Sequence, residues 1–546
     1  MEVVNLKFNI SLFFLSLFLS LFLIVGFVSA ANWYVDRDAP VGGNGQSWST
    51  AWKKFSDIQW TQIQPGDIVY ISGGYSQKVY GDEFYQTPPK PRNYTFRISA
   101  QGTPDNFIIV TKGADPGHNG DVIFDAGNLS IGAAILFNSA KYVIVENFTI
   151  RNYGSGFFFK SGTKRGIDSV IIRNNKIFDS RGTGIFFDGW SQSCNNGSCD
   201  YDTINNVLIS NNIISSYNYT PSQTDLIYGQ MFQNLTIEKN VLIQKNVWDN
   251  GICDHSSNST PHADAIQTFT SKDLTVRYNI IDYRLLRPCS NTFMLSNNIG
   301  FIDIYGNIIL SYVPGMTNKG RQSIIEKISS NDPVYNGSNY MRIYNNIFIS
   351  DAYNALGIKN IDGEYEVKNN IFYSLIEGAN GLDRSIVFLV NPPNNISNIN
   401  GNLYWGVGGF NVPQFYWISW GSRPRTWEQV QSLGAELNGV SADPLFVNIY
   451  NDNYALLPSS PAIDAGLDLG LDYRLALNGV LRPQGSGWDI GAFEYVSGVQ
   501  CAPADNDCNG CVSLSEISSF VARWLNGEIS LSVVSGAVSL WLNGGC

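Results

Sequence analysis

Leu208-Ile-Ser-Asn-Asn212 follows Ile171-Ile-Arg-Asn-Asn175 and precedes Leu235-Thr-Ile-Glu-Lys-Asn240, Leu274-Thr-Val-Arg-Tyr-Asn279 and Ile302-Asp-Ile-Tyr-Gly-Asn307. The phrase is an apolar triplet of period two, then a turn that carries asparagine. An earlier copy, Val143-Ile-Val-Glu-Asn147, and later ones ending at Asn346, Asn370 and Asn402 extend the series. Successive asparagines lie 28, 37, 28, 39, 28, 39, 24 and 32 residues apart. A constant minimum with variable excess is what a coil with lateral loops produces. Each strand is too short to build a core alone. Stacking coils about 4.8 Å apart satisfies every backbone group and joins inward Ile, Val and Phe into ladders. Asparagine tolerates the left-handed turn and can hydrogen-bond its copy in the next coil. A leucine-rich horseshoe would require a stricter leucine spacing than this. The pattern predicts an all-β solenoid of roughly ten coils.

Composition agrees. Gly (52), Tyr (28) and Phe (31) are abundant and only 15% of residues are charged, which favours strands and turns over helices. A formal charge of −11 disfavours nucleic acid and anionic membrane as partners.

The first 30 residues read as an export signal. Lys7 precedes an apolar run from Phe8 to Val28, and Val28-Ser29-Ala30 fits a signal-peptidase site. An uncleaved anchor is the alternative, because the run is nearly long enough to span a bilayer. The expected location is secreted or cell-surface. Eight cysteines fall in clusters, Cys194 with Cys199, Cys253 with Cys289, and Cys501, Cys508, Cys511 and Cys546. Local disulfides in the first two pairs and two in the tail are expected. Sequons at Asn93, Asn128, Asn218 and Asn258 are candidate glycan sites in an exported chain.

Residues 31–498 resemble the pectate-lyase-like superfamily of right-handed, single-stranded parallel β-helices. Besides the repeat, the resemblance rests on Trp33-Tyr-Val-Asp36, Gly43-Asn-Gly-Gln-Ser-Trp48 and Gln64-Pro-Gly-Asp67 near the start. It rests also on Ala442-Asp-Pro-Leu-Phe446, Ser460-Pro-Ala-Ile-Asp464 and Asp489-Ile-Gly-Ala-Phe-Glu494 near the end. It implies that both end segments, the second over about 440–498, cover the open ends of the solenoid and block edge pairing. It also implies a polysaccharide-active protein, a lyase or a glycoside hydrolase. A non-catalytic surface or adhesion protein binding glycan or a protein partner is the alternative.

Residues 499–546 read as a small helical tail module. Asp505, Asp507 and Asn509 stand at positions 1, 3 and 5 of a twelve-residue calcium loop. Gly510 takes the sharp turn, Cys511 offers its backbone carbonyl, Ser513 stands at position 9 and Glu516 at position 12. Asn509-Gly-Cys-Val-Ser-Leu-Ser recurs as Asn526-Gly-Glu-Ile-Ser-Leu-Ser at an offset of 17, without the acidic ligands. The arrangement resembles a dockerin-like duplicated module with one competent loop. It implies bound Ca2+ and either a cohesin-like or surface partner or a structural terminus.

Chemistry-bearing residues cluster in His262-Ala-Asp264-Ala-Ile-Gln267, with Asp254 and His255 just before. Two of the three histidines lie here. His262, Asp264 and Gln267 are candidates for acid/base work on a sugar, and turn capping by Asp264 is the structural alternative. The apolar triplets align Ala265-Ile266-Gln267 with Gly184-Ile185-Phe186 and with Phe293-Met294-Leu295, Ile266 inward and Gln267 outward. Glu326 and Lys327 are the candidate partners from a later coil. Lys272, Arg277, Arg284, Arg287 and Arg321 are further cations for a uronate carboxylate, aided by Ca2+ in the groove, in a lyase. Asp188, Asp264 and Glu326 are candidates for the paired carboxylates of a glycosidase. Trp190, Tyr201, Tyr217, Trp248, Tyr404, Trp405, Tyr416 and Trp420 are candidate sugar-stacking rings. The chain is expected to act as a monomer.

Overall fold

The computed structural model describes residues 30–497 except 82–84, 87–92, 128–131, 161–165, 190–193, 196–197, 200–203, 217–224, 245–262, 285–290, 313–322, 329–338, 351–353, 360–362, 376–386, 390–394, 407–414, 418–425 and 450–451. At some strand positions, Glu326 and Lys327 among them, it describes the backbone alone. The export segment, the tail with its calcium ligands, His255, His262, Cys253, Cys289, Arg287 and Arg321 lie outside the described residues.

The repeat folds as a parallel β-helix. Three sheets of twelve strands run the length of the coil stack, and each coil contributes one strand to each sheet. One turn shows the plan: Ile167–Arg173 in the first sheet, Lys176–Phe178 in the second, Thr183–Asp188 in the third, then Ile204–Ser210 back in the first. The inward rows form one continuous core. On the third sheet Phe137, Phe159 and Phe187 stack at 4.4 and 4.6 Å.

The asparagine turn divides its work between two adjacent residues. The left-handed position is Asn147, Asn174, Asn211, Lys239, Tyr278, Gly306, Asn345, Asn369 and Gly401 in successive coils. The residue after it carries the ladder: Asn175, Asn212, Asn240, Asn279, Asn307, Asn346, Asn370 and Asn402. Each Nδ2 donates to the Oδ1 of the next rung, as Asn279 does to Asn307 at 3.0 Å, and each Oδ1 accepts the backbone N–H of the rung before. Asn147 therefore belongs to the left-handed row and not to the ladder. Ile144, not Val143, pairs with Ile171, and the ladder position in that coil is Phe148, whose N–H donates to Asn175. The expectation that one asparagine does both tasks is corrected accordingly. The left-handed row accepts lysine and tyrosine. Only the buried second position requires an amide, which can donate and accept at once.

At the entry, Asp67 of the Gln64-Pro-Gly-Asp67 turn accepts from the Trp33 indole, from Ala31 N and from Gln64 N, each at 2.8 Å. Trp33 stacks on Trp52 above the first coil.

The other end differs from expectation. The last coil is covered by the helix Trp427–Ser432 and the turn after it, with Val430 and Ala435 in the core. The marker-bearing segment 446–494 lies along the outer flank of the second sheet. There the row Ile213, Val241, Ile280, Ile308, Ile347, Ile371 and Leu403 meets Phe446, Tyr454, Ala462, Leu477, Trp488, Ile490 and Ala492. Asn369 and Leu467 exchange two hydrogen bonds, and Arg284 donates from Nη1 to both carboxylate oxygens of Asp452 at 2.6 and 2.7 Å. An outward row of isoleucines cannot face water on a soluble sheet, so the chain doubles back to cover it.

Candidate functional site

First and second sheets are joined by two-residue turns in every coil from Ile167 to Gly406. All longer connections in that stretch leave at the two edges of the third sheet. Residues 217–226, 245–265, 283–292, 312–322 and 375–386 connect into it, and residues 189–203, 329–338 and 390–398 connect out of it, whereas the chain leaves Gln230, Phe269 and Ser296 by turns of one or two residues. The ladder explains this: a buried asparagine must follow the first sheet at fixed distance, so insertions accumulate at the other two corners. The chain's long insertions therefore begin and end at strands of the third sheet, chiefly where the chain enters it.

Along that face the register sets one row: Leu136, Phe158, Phe186, Tyr228, Gln267, Met294 and the backbone position of Glu326. Phe186 lies 5.1 Å from both Phe158 and Tyr228, the first pair stacked and the second tilted. Two residues further along each strand stand Lys160, Asp188, Gln230 and Phe269, and Gln230 Nε2 donates to Asp188 at 3.1 Å. Burial holds the Tyr228 hydroxyl above the usual phenol range, and the Asp225 and Asp188 carboxylates push it the same way. Asp188 stands in register with Gln230, two residues along from Tyr228, and Asp225 lies just before the Tyr228 strand.

Asp264 sits in the turn entering the strand Ile266–Phe269, as expected, and is buried. It belongs to a second stack: Asp264 N donates to Asp225 Oδ1 at 2.8 Å, and Asn291 N donates to Asp264 Oδ1 at 2.9 Å. One oxygen of each carboxylate thus orders a turn. Gln267 faces outward and Ile266 fills the core, as the alternation requires. Gln267 is 3% exposed, and its Oε1 has no partner among the described residues.

Several expectations are corrected. Phe293, not Met294, pairs with Ile266, so the alignment of Phe293-Met294-Leu295 was one residue out and Met294 joins the outward row. Glu326 shares the row of Gln267, whereas Lys327 falls on the row of Leu295, which is in the core. Lys272 and Arg277 lie on the first sheet, where Arg277 pairs with Glu238 at 2.6 Å. Arg284 is taken up by Asp282 and Asp452. Tyr404 is a core ring stacked on Phe372, and Trp405 packs against the flank segment. Trp190, Tyr201, Tyr217, Trp248 and Trp420 lie outside the described residues, and Tyr416 is described by its backbone only. The backbone places Cys194 directly opposite Cys199 across a two-stranded hairpin.

Asp225, Tyr228 and Gln230 escaped the sequence reading because their strand is only Ile227–Gln230 and carries no asparagine marker. The available signal was Asp225-Leu-Ile-Tyr228 beside Asp264-Ala-Ile-Gln267, the same pattern one coil apart.

No family model and no curated protein matches the chain. Among solved structures it is similar to the pectate lyase Pel9A, at 12% identity over 86% of this chain and 98% of that one, with a TM-score of 0.45. It is similar to XylC, solved with xylose, at 10% identity over 85% and 98%, TM-score 0.41. It is also similar to the GH136 lacto-N-biosidase of Eubacterium ramulus, at 15% identity over 63% and 64%, TM-score 0.39.

Proposed function

We propose that the protein is exported and acts on a polysaccharide, which it holds along the outer face of the third sheet. The observation that carries this reading is the row of half-buried rings and polar side chains on that face, Phe186, Tyr228, Asp188 and Gln230, on the sheet whose strands the chain's long insertions enter. A row that repeats from coil to coil offers repeated contacts to an extended polymer, whereas a small molecule requires a closed cavity. Phe186 and Tyr228 offer ring faces for the apolar sides of sugars, and Asp188, Gln230 and Gln267 offer polar contacts to their hydroxyls. In the catalytic form of this reading, Asp264, His262 and Glu326 supply acid/base groups from the connection into the third sheet and the row. The non-catalytic alternative has its own support: Asp225 and Asp264 each commit an oxygen to a backbone N–H.

Incubation of the mature protein with a polysaccharide panel tests both. Absorbance of unsaturated uronate products reports elimination, new reducing ends report hydrolysis, and retention without either reports binding alone. No product and no retention on any polysaccharide would sink the proposal. The tail is proposed to bind calcium through Asp505, Asp507, Asn509, the Cys511 carbonyl, Ser513 and Glu516. Glu516→Gln should then lose calcium-dependent heat stabilisation. A cohesin-like or cell-surface partner for the tail belongs to the same proposal.

A further inference from the structure

Resting on the reading that this face holds a polysaccharide, we infer that the glycan it takes is neutral, a chain of hydroxyl-bearing sugars without carboxylate, sulfate or phosphate groups. Gln267 is the key residue. Its side chain stands outward between Tyr228 and Met294, is almost wholly buried, and has an Oε1 without a partner among the described residues. The next residue shows the contrast: Thr268 Oγ1 accepts from Asn298 Nδ2 at 2.6 Å. A buried polar atom left unpaired weakens a fold, and such an atom persists where a bound molecule supplies the partner.

The neighbours decide what that molecule is. In the adjacent coils Asp188 stands in register with Gln230, two residues along from Tyr228, Asp225 precedes the Tyr228 strand, and Asp264 precedes the Gln267 strand. Lys160, in register with Asp188, and Arg97, in register with Leu136, are cations of these rows among the described residues, and both stand on strands before that of Tyr228. Carboxylates accept hydrogen bonds and do not donate them. A uronate would set another acceptor-only anion beside Asp188 and Asp225, which is unfavourable, although its remaining hydroxyls could serve the Gln267 oxygen. A sugar hydroxyl donates to that oxygen and to a carboxylate, and accepts as well. A neutral chain also lacks the carboxylate-activated proton that elimination needs. Cleavage on this face is then hydrolytic: the glycosidic C–O bond breaks, the oxygen of water bonds to the anomeric carbon, one water proton goes to the leaving oxygen and the other stays on the new hydroxyl.

Affinity electrophoresis of the mature protein tests this. Gels containing galactomannan, xyloglucan or mixed-linkage β-glucan are compared with gels containing polygalacturonate or alginate. Retardation in at least one neutral gel and in neither uronate gel is expected. Gln267→Met, which installs the residue of the next coil, should weaken that retardation at least tenfold while the melting temperature holds or rises. A purely structural glutamine would lower the melting temperature and leave retardation unchanged, which overturns the assignment. Should that variant not fold, Tyr228→Phe serves instead, with unchanged retardation counting against the site. Retardation in the uronate gels alone overturns the neutral class and leaves the polysaccharide reading standing. Retardation in no gel overturns both.

Discussion

Asn402 donates its Nδ2 to Glu436 Oε1 at 2.7 Å, and with that bond the asparagine ladder ends on a carboxyl group. The other oxygen accepts Asn402 N at 3.1 Å, and Tyr404 OH donates to Oε1 at 2.7 Å. Glu436 is fully buried, and burial pushes its carboxyl up to about 7 against the opposing pull of these donors.

Because the folded carboxyl lies above its ordinary value near 4.5, its ionisation opposes folding. Stability is greatest below the unfolded value and falls as pH rises through about 7. The loss amounts to about 3 kcal/mol at 1.4 kcal/mol per unit. Asp489, raised by burial to about 6, adds a loss of the same sign. Glu436→Gln should remove its part of the decline, and urea midpoints at pH 5 and pH 8 measure it. An equal decline in the variant would show that Glu436 does not titrate there.

Asn279→Ala should cost about 2–4 kcal/mol, because it strips Ile237 O, Arg277 O and Asn240 N of buried partners at once. Asn147→Gly should cost well under 1 kcal/mol, since glycine suits the left-handed turn and only the bond to Thr111 is lost. Equal shifts in the urea midpoint would contradict the division of labour between the two rows.

Arg284→Met should destabilise by roughly 2–4 kcal/mol, because it leaves Asp282 and Asp452 without their shared cation. Limited proteolysis should then cut first within 446–494, ahead of the coils. Cleavage beginning elsewhere would show that the flank does not depend on this pair.

Lys176 stands in the outward apolar row of the second sheet, in register with Thr149 and Ile213, and burial lowers its ammonium to about 7. A folded value below the ordinary one for lysine means that folding opposes the charge, so stability gains as pH rises from about 7 towards the unfolded value. Lys176→Met should raise stability at neutral pH by about 1–3 kcal/mol and flatten that rise. Thermal melts at pH 7 and pH 9 check both.

The coil was legible because its period is written in large steps. An apolar triplet and a buried amide recur at every turn, and no other residue pair does their work. The register was less legible. Val143-Ile-Val-Glu-Asn147 looks like its successors, yet the asparagine in it is the left-handed one, and one residue of slip exchanges the faces. The candidate site was legible at Asp188, Asp264, Gln267 and Glu326. Asp225 and Tyr228 gain their meaning from a strand of four residues whose partners lie about forty positions away. The course of 446–494 was hidden for a related reason: its markers state what they pack with, an apolar surface, and not which one.

The flank segment also changes how the solenoid bears load. A stack of coils held only by its neighbours can be peeled from its last turn, one rung at a time. Here Gly491 N donates to Asn369 O and the chain leaves after Tyr495 beside the coils of Ile347 and Ile371, not at the final coil. A pull applied beyond Tyr495 would therefore enter through the side of the column and be shared by several turns in shear. If the tail is a tether, as proposed, the column is braced near the point where that tether begins.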